Sequence, residues 1–169
     1  MLNRRHLLTG SVALLGLGFQ MGRGGAAPMT TSGTTTDFRA LSEADWKQRL
    51  TEQQFYILRK HGTERPGSSP LNKEKRKGTF ACAGCDLPLF SSETKFESGT
   101  GWPSFYQPLP KAVGTTTDRS LLMTRTEVHC DRCLGHLGHV FDDGPKPTGL
   151  RYCMNGVALK FEPSAASSS

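Results

Sequence analysis

Apolar positions between residues 39 and 60 cluster at helical spacing. Trp46 and Leu50 stand four apart and share a helix face, which marks them as core. Phe55, Tyr56, Ile57 and Leu58 form a second cluster. A start signal precedes each. Ser42 is placed to cap a helix over Glu43 to Leu50, with Asp45 at its third position, and Thr51 and Gln54 form a capping-box pattern ahead of Phe55. Residues 62–77 are polar, contain Pro66 and Pro70, have no period and read as a loop. From Gly78 onward the pattern changes to short β-like runs separated by turn residues: Thr79–Ala81, Leu87–Ser91, Leu121–His129, His139–Phe141 and Leu150–Phe161. The prediction is a mainly β (α+β) domain, a small antiparallel sheet or open barrel with two short helices packed at one end.

The ends of the chain do not follow this pattern. Adjacent arginines, Arg4 and Arg5, precede an apolar run from Leu7 to about Phe19, and small residues Gly24–Ala27 follow. That run is shorter than the about 20 apolar residues a transmembrane helix needs. Residues 1–27 are therefore read as an export signal of twin-arginine type, with an ordinary secretory signal as the rival, and no stable membrane insertion is expected. Residues 28–38 read as a polar linker, 39–162 as the domain and 163–169 as a disordered tail. The formal charge is +6, and without Arg4, Arg5 and Arg23 it is 18 basic against 15 acidic residues, or +3. No clustered basic stripe remains, so nucleic acid is not expected as a partner. The export reading places the mature protein in a bacterial periplasm, as a monomer.

Chemistry converges on Leu150–Val157. Cys153 is the only cysteine outside two Cys-x-x-Cys pairs, and Arg151 and Asn155 flank it at two-residue spacing. On a strand these three would share a face. A cation beside a thiol favours the nucleophilic thiolate. The amide of Asn155 could hold a substrate oxygen or orient a neighbour. The rival reading is a buried structural cysteine.

The pairs Cys82–Cys85 and Cys130–Cys133, with 44 residues between them, are the strongest physical signal. Four thiolates suit a structural Zn²⁺ that staples two distant hairpins. Two disulfides are the competing reading in an oxidising compartment, but folded export would let zinc load first, in a reducing cytosol. Two further stretches stand out. Trp102 lies in the Gly/Pro loop 99–105, where its indole could wall a pocket. His136 and His139 would face opposite ways in a regular strand unless a bulge at Gly138 turned them together. As a second metal site this histidine pair has no third ligand nearby in the sequence.

In order, GWPSF at 101–105, HLGHVF at 136–141, DGP at 143–145, RYCMNG at 151–156 and both cysteine pairs resemble the methionine-R-sulfoxide reductase family, the B-type enzymes. The resemblance spans roughly residues 39 to 162. It implies a β-rich fold with structural zinc remote from the active site, and reduction of the R epimer of methionine sulfoxide in oxidised peptides or proteins.

The residues fit that chemistry. Cys153 is the nucleophile, with Arg151 and the histidines favouring its thiolate. His139, directly or with His136, supplies a proton to the sulfoxide oxygen, and Asn155 helps hold the arrangement. Trp102 and Phe141 wall the substrate methyl group. Many members of the family carry a resolving cysteine two residues before this tryptophan. Thr100 stands there, which implies a single-cysteine cycle reset by an external thiol such as a thioredoxin-like donor. Two other classes stay open at this level: a non-catalytic zinc-stapled β module that binds a protein partner, and a thioredoxin-like oxidoreductase using Cys-x-x-Cys. The second lacks a strand–Cys-x-x-Cys–helix context.

Overall fold

The computed structural model describes residues 36–120 and 123–165. The expected export signal and nearly all of the linker fall outside them. Among the described residues no helix is long and apolar enough to cross a membrane.

Both capping signals act as read. In α1 (Glu43–Arg49) the Ser42 hydroxyl accepts from Asp45 N, and the Asp45 carboxylate accepts from Ser42 N. In α2 (Glu52–Lys60) Thr51 and Gln54 exchange the same two bonds. Each box satisfies two N–H groups that a helix start leaves open. Trp46, Leu50, Phe55, Ile57 and Leu58 are buried, as the spacing requires. Phe38 stacks on Trp46 at 6.2 Å, so the folded domain begins slightly before residue 39.

Among the described residues the strands form two antiparallel sheets and no closed barrel. The smaller has the order β2–β1–β9, from β1 (Gly78–Cys82), β2 (Pro88–Ser91) and β9 (Leu159–Pro163). The larger runs β3–β4–β8–β7–β6–β5, from β3 (Lys95–Phe96), β4 (Ser104–Phe105), β5 (Val113–Asp118), β6 (Arg125–Cys130), β7 (His136–Phe141) and β8 (Arg151–Met154). An aromatic cluster joins the sheets. Phe105 of β4 stacks on Phe90 of β2 at 4.4 Å and meets Phe80 of β1 edge-on at 4.9 Å, and all three are fully buried. Such pairs contribute about 0.5–1.5 kcal/mol each beyond their buried area.

Several sequence expectations need correction. The single strand predicted over 150–161 is two strands in different sheets. The chain turns at Asn155 and passes through a 3₁₀ turn, Gly156–Ala158, before β9. Continuous apolar character does not distinguish one long strand from two short ones that both bury their faces. Strands β3 and β4 are two residues each, and β5 is mostly exposed, so none showed a hydrophobic alternation. Strand β6 starts at Arg125, later than expected, and Leu121 and Leu122 of that predicted strand lie outside the described residues. Strand β9 continues through Pro163, and Ser164 N donates to Lys77 O at 3.0 Å, so order extends just past the expected tail boundary.

Candidate active site

Strand β8 lies at the centre of the site, paired with β4 on one side and β7 on the other. Cys153 is directly opposite Ser104 across one ladder and His139 across the other. Opposed residues of an antiparallel pair project to the same face, so thiol and imidazole share a side of the sheet. Close approach here depends on Gly138. A Cβ at that position would lie 2.1 Å from the Cys153 carbonyl oxygen.

Strand β7 carries an irregularity, one residue before the expected Gly138. Val128 pairs with Gly138 but His129 pairs with His136, which leaves Leu137 as the extra residue. With the alternation broken, the His136 and His139 rings meet edge-to-face at 5.4 Å. His136 is buried, and its Nδ1 lies 2.7 Å from Glu127 Oε1. Burial pushes this imidazole below its usual range, against the raising effect of Glu127. His139 Nε2 lies 2.8 Å from Asp118 Oδ2. The same oxygen accepts from Arg125 at 2.7 Å, and Ser120 N donates to the other carboxylate oxygen at 2.8 Å. The bonds from Ser120, then the one from His139, hold the Asp118 carboxyl well below the usual carboxylate range.

A cavity of about 130 Å³ opens over Cys153, lined by Thr63, Trp102, Arg125, Gly138, His139, Phe141 and Asn155. Trp102 and Phe141, the two aromatics expected to form an apolar wall, both line it. Trp102 is anchored by its indole N–H, which donates to Glu64 O at 3.2 Å.

The flanking residues divide their roles differently from the one-face prediction. Arg151 is held by Asp143 through two bonds of 2.8 and 2.9 Å, and its guanidinium lies 4.3 Å from the centre of the Phe141 ring. Asp143 raises the guanidinium pKa, burial opposes the rise, and nearby Cys153 adds to it. Arg151 stands two residues before Cys153 on β8, while the arginine in the cavity wall is Arg125. Asn155 lies beyond the strand end, yet it borders the cavity. Its amide accepts from Glu64 N at 3.0 Å and donates one N–H to Leu137 O at 3.0 Å, which ties it to the neighbouring backbone.

Glu64 completes this hub. Its buried carboxylate accepts from Gly156 N at 2.6 Å and Val157 N at 3.0 Å. Burial pushes its pKa up, against those two amides. Sequence reasoning missed Glu64, because it lies in a loop without periodicity. Arg125 and Glu127 were findable, since two-residue alternation along a predicted strand puts both on one face.

Thr100 Oγ1 lies 3.7 Å from Cys153 Sγ. Ser98 joins the hydroxyl of Thr100 to that of Ser104, at 2.8 and 2.7 Å. The position read as that of a resolving cysteine is in contact with the thiol.

The two Cys-x-x-Cys turns are built alike. Cys82 N donates to Leu87 O and Cys130 N to Gly135 O, and the fifth residue of each turn returns its N–H to the first cysteine's carbonyl, all at 2.9 Å. Asp86 and Leu134, the residues after each pair, both adopt the left-handed conformation. Each turn tips one hairpin, β1–β2 in the small sheet and β6–β7 in the large one. The four sulfurs come together fully buried, with Cys82–Cys133 at 3.7 Å and Cys85–Cys130 at 3.5 Å. A disulfide needs about 2.05 Å, whereas thiolates around a tetrahedral ion at about 2.3 Å stand about 3.8 Å apart. The donor set fits a metal ion. Neither pair opens a helix, which removes the thioredoxin-like reading.

Comparison with known proteins agrees with this geometry. The SelR domain matches residues 50–163. The chain is 55% identical over 123 residues to the peptide methionine sulfoxide reductase MsrB of Agrobacterium fabrum, covering 72% of this chain and 91% of that protein. It is 56% identical over 122 residues to the MsrB of Leptospira interrogans, covering 72% and 93%. For the MsrB of Bradyrhizobium diazoefficiens the identity is 51% over 137 residues, covering 80% and 99%. The SelR match spans α2 through β9 and includes the cavity, the cysteine turns and Cys153. The chain belongs to the SelR-domain family of peptide methionine sulfoxide reductases, MsrB.

Proposed function

We propose that this protein reduces methionine-R-sulfoxide in oxidised peptides and proteins, with Cys153 as the nucleophile. The observation that carries the reading is the pairing of Cys153 with His139 beneath a small cavity walled by Trp102 and Phe141. The aromatic faces receive the S-methyl group, and the sulfoxide sulfur meets the thiolate. The oxygen must gain a proton as its bond to sulfur weakens. His139, steadied by Asp118 and Arg125, is the group placed to give it, and His136 supports the ring beside it. The oxygen passes to Cys153, methionine leaves and the cysteine becomes a sulfenic acid. Two equivalents of an external thiol then return the thiol, releasing water and an external disulfide.

Cys82, Cys85, Cys130 and Cys133 hold Zn²⁺, which ties the two hairpin tips together and takes no part in the reaction. The Arg4–Arg5 segment is the basis for proposing export through the twin-arginine route, with a thioredoxin-like donor as the reductant class.

The test is dithiothreitol-driven turnover of the separated R and S epimers of a peptidyl methionine sulfoxide. Reduction of the R epimer alone is expected. Preference for the S epimer, or no turnover of either, would overturn the reading and restore a binding module.

A further inference from the structure

His136 has neighbours that the sulfoxide cycle does not use. Glu127 Oε1 lies 2.7 Å from His136 Nδ1 and 3.0 Å from His61 Nδ1. The three come from separate elements: His61 ends α2, Glu127 is on β6 and His136 opens β7. Their potential ligand atoms all fall within 4.8 Å of one another. His136 Nε2 is buried and has no hydrogen-bond partner among the described residues, on a side chain only 3% exposed. His61 Nδ1 and His136 Nδ1 both face the same Glu127 oxygen, so these are the ring atoms that would meet an ion there.

The surroundings suit a cation. A second cavity, of about 520 Å³, is lined by these three residues together with Asp118, Arg125 and His139. Of the two cations in that wall, Arg125 is already paired with Asp118 at 2.7 Å and Arg119 is exposed to solvent. The His61 side chain is 64% exposed, so an ion can enter from solvent and keep water in its remaining positions.

We infer that His61, Glu127 and His136 form a second metal site, distinct from the four cysteines, for a divalent transition metal such as Zn²⁺. Two imidazoles and one carboxylate, with open positions, suit zinc, copper or nickel better than magnesium or calcium. Filling the site ties up His136 beside His139 and slows sulfoxide reduction, a consequence that rests on the function proposed above. The enzyme is thereby sensitive to free metal through a residue, His61, that the reaction does not require.

The experiment has two arms. Zinc-loaded protein carrying Cys153→Ser, which removes the competing thiolate, is titrated with Zn²⁺ by calorimetry and with Co²⁺ by visible absorption. One further equivalent is expected. His61→Asn, which tolerates the left-handed conformation at residue 61, weakens it at least about tenfold. No further binding, or binding unchanged by His61→Asn, overturns the site. The second arm follows a single turnover without thiol, because thiols bind zinc. Added Zn²⁺ slows the Cys153-containing chain and leaves its His61→Asn variant at the metal-free rate; equal slowing of both overturns the regulatory role. Metal binding in a chain with no reductase activity would defeat the functional reading and leave the site standing.

Discussion

Cys153 and His139 occupy one register position on neighbouring strands, β8 and β7. Pairing of Gly138–Phe141 with the whole of β8 fixes that register, so the thiol and imidazole are not placed by a flexible loop. Gly138, beside His139, lets the two backbones come close enough to keep it. The result is a thiol and an imidazole presented on one face, beside the same cavity.

His139→Gln should lower kcat/KM by roughly 10², the ordinary contribution of a general acid. Asp118→Asn should lower it less, by about tenfold, because the ring stays in place but loses the carboxylate that orients it. Steady-state kinetics on a peptidyl sulfoxide check both. Asp118→Asn exceeding His139→Gln in its effect would assign the proton transfer elsewhere.

Metal at the four cysteines would tie the β1–β2 tip to the β6–β7 tip, and its binding energy would be folding energy. Cys85→Ser should lose one metal equivalent and lower Tm by roughly 10 °C or more. Elemental analysis and thermal melts provide the check. A metal-free chain with an unchanged Tm would deny the site a structural role.

Thr100→Cys should place a second thiol against the nucleophile, given the 3.7 Å contact of Thr100 Oγ1 with Cys153. After one turnover the variant should hold a disulfide between positions 100 and 153, and two fewer free thiols by thiol counting. A persistent sulfenic acid in this variant would mean that the loop cannot bring the two sulfurs together.

Burial lowers the pKa of His136 from its ordinary value of about 6.5. The unfolded chain therefore binds more protons between the lowered value and 6.5. The stability that the neutral, buried ring contributes is complete above about pH 6.5 and is lost as pH falls through the folded value. Urea midpoints for the unmodified chain and for His136→Asn, measured from pH 7.5 to 5, should converge on acidification. Midpoints that diverge toward acid would mean that the ring is charged in the folded state.

The sequence exposed the local signals and hid the long-range ones. Both capping boxes, the buried Trp46 and Leu50, and the cysteine turns depend on residues close in the chain, and spacing alone revealed them. The irregularity in β7 was legible because two histidines three apart could meet only through one. Glu64 was not legible, since its partners Asn155, Gly156 and Val157 lie more than 90 residues away along the chain. Asp118 was hidden for another reason. Strand β5 is largely exposed and shows no apolar alternation, so nothing marked Asp118 as the partner of His139. The split of 150–161 into two strands reflects a sharp turn fixed by the Asn155–Glu64 hub, which no periodicity encodes.

The central claim is that Cys153 takes the sulfoxide oxygen itself and waits for an external thiol. One turnover with excess R-sulfoxide and no reductant, followed by intact-mass and peptide analysis under non-reducing conditions, tests it directly. A single added oxygen on Cys153, trapped by dimedone, with the other four cysteines unchanged, is the predicted result. A disulfide linking Cys153 to Cys82, Cys85, Cys130 or Cys133 would contradict it.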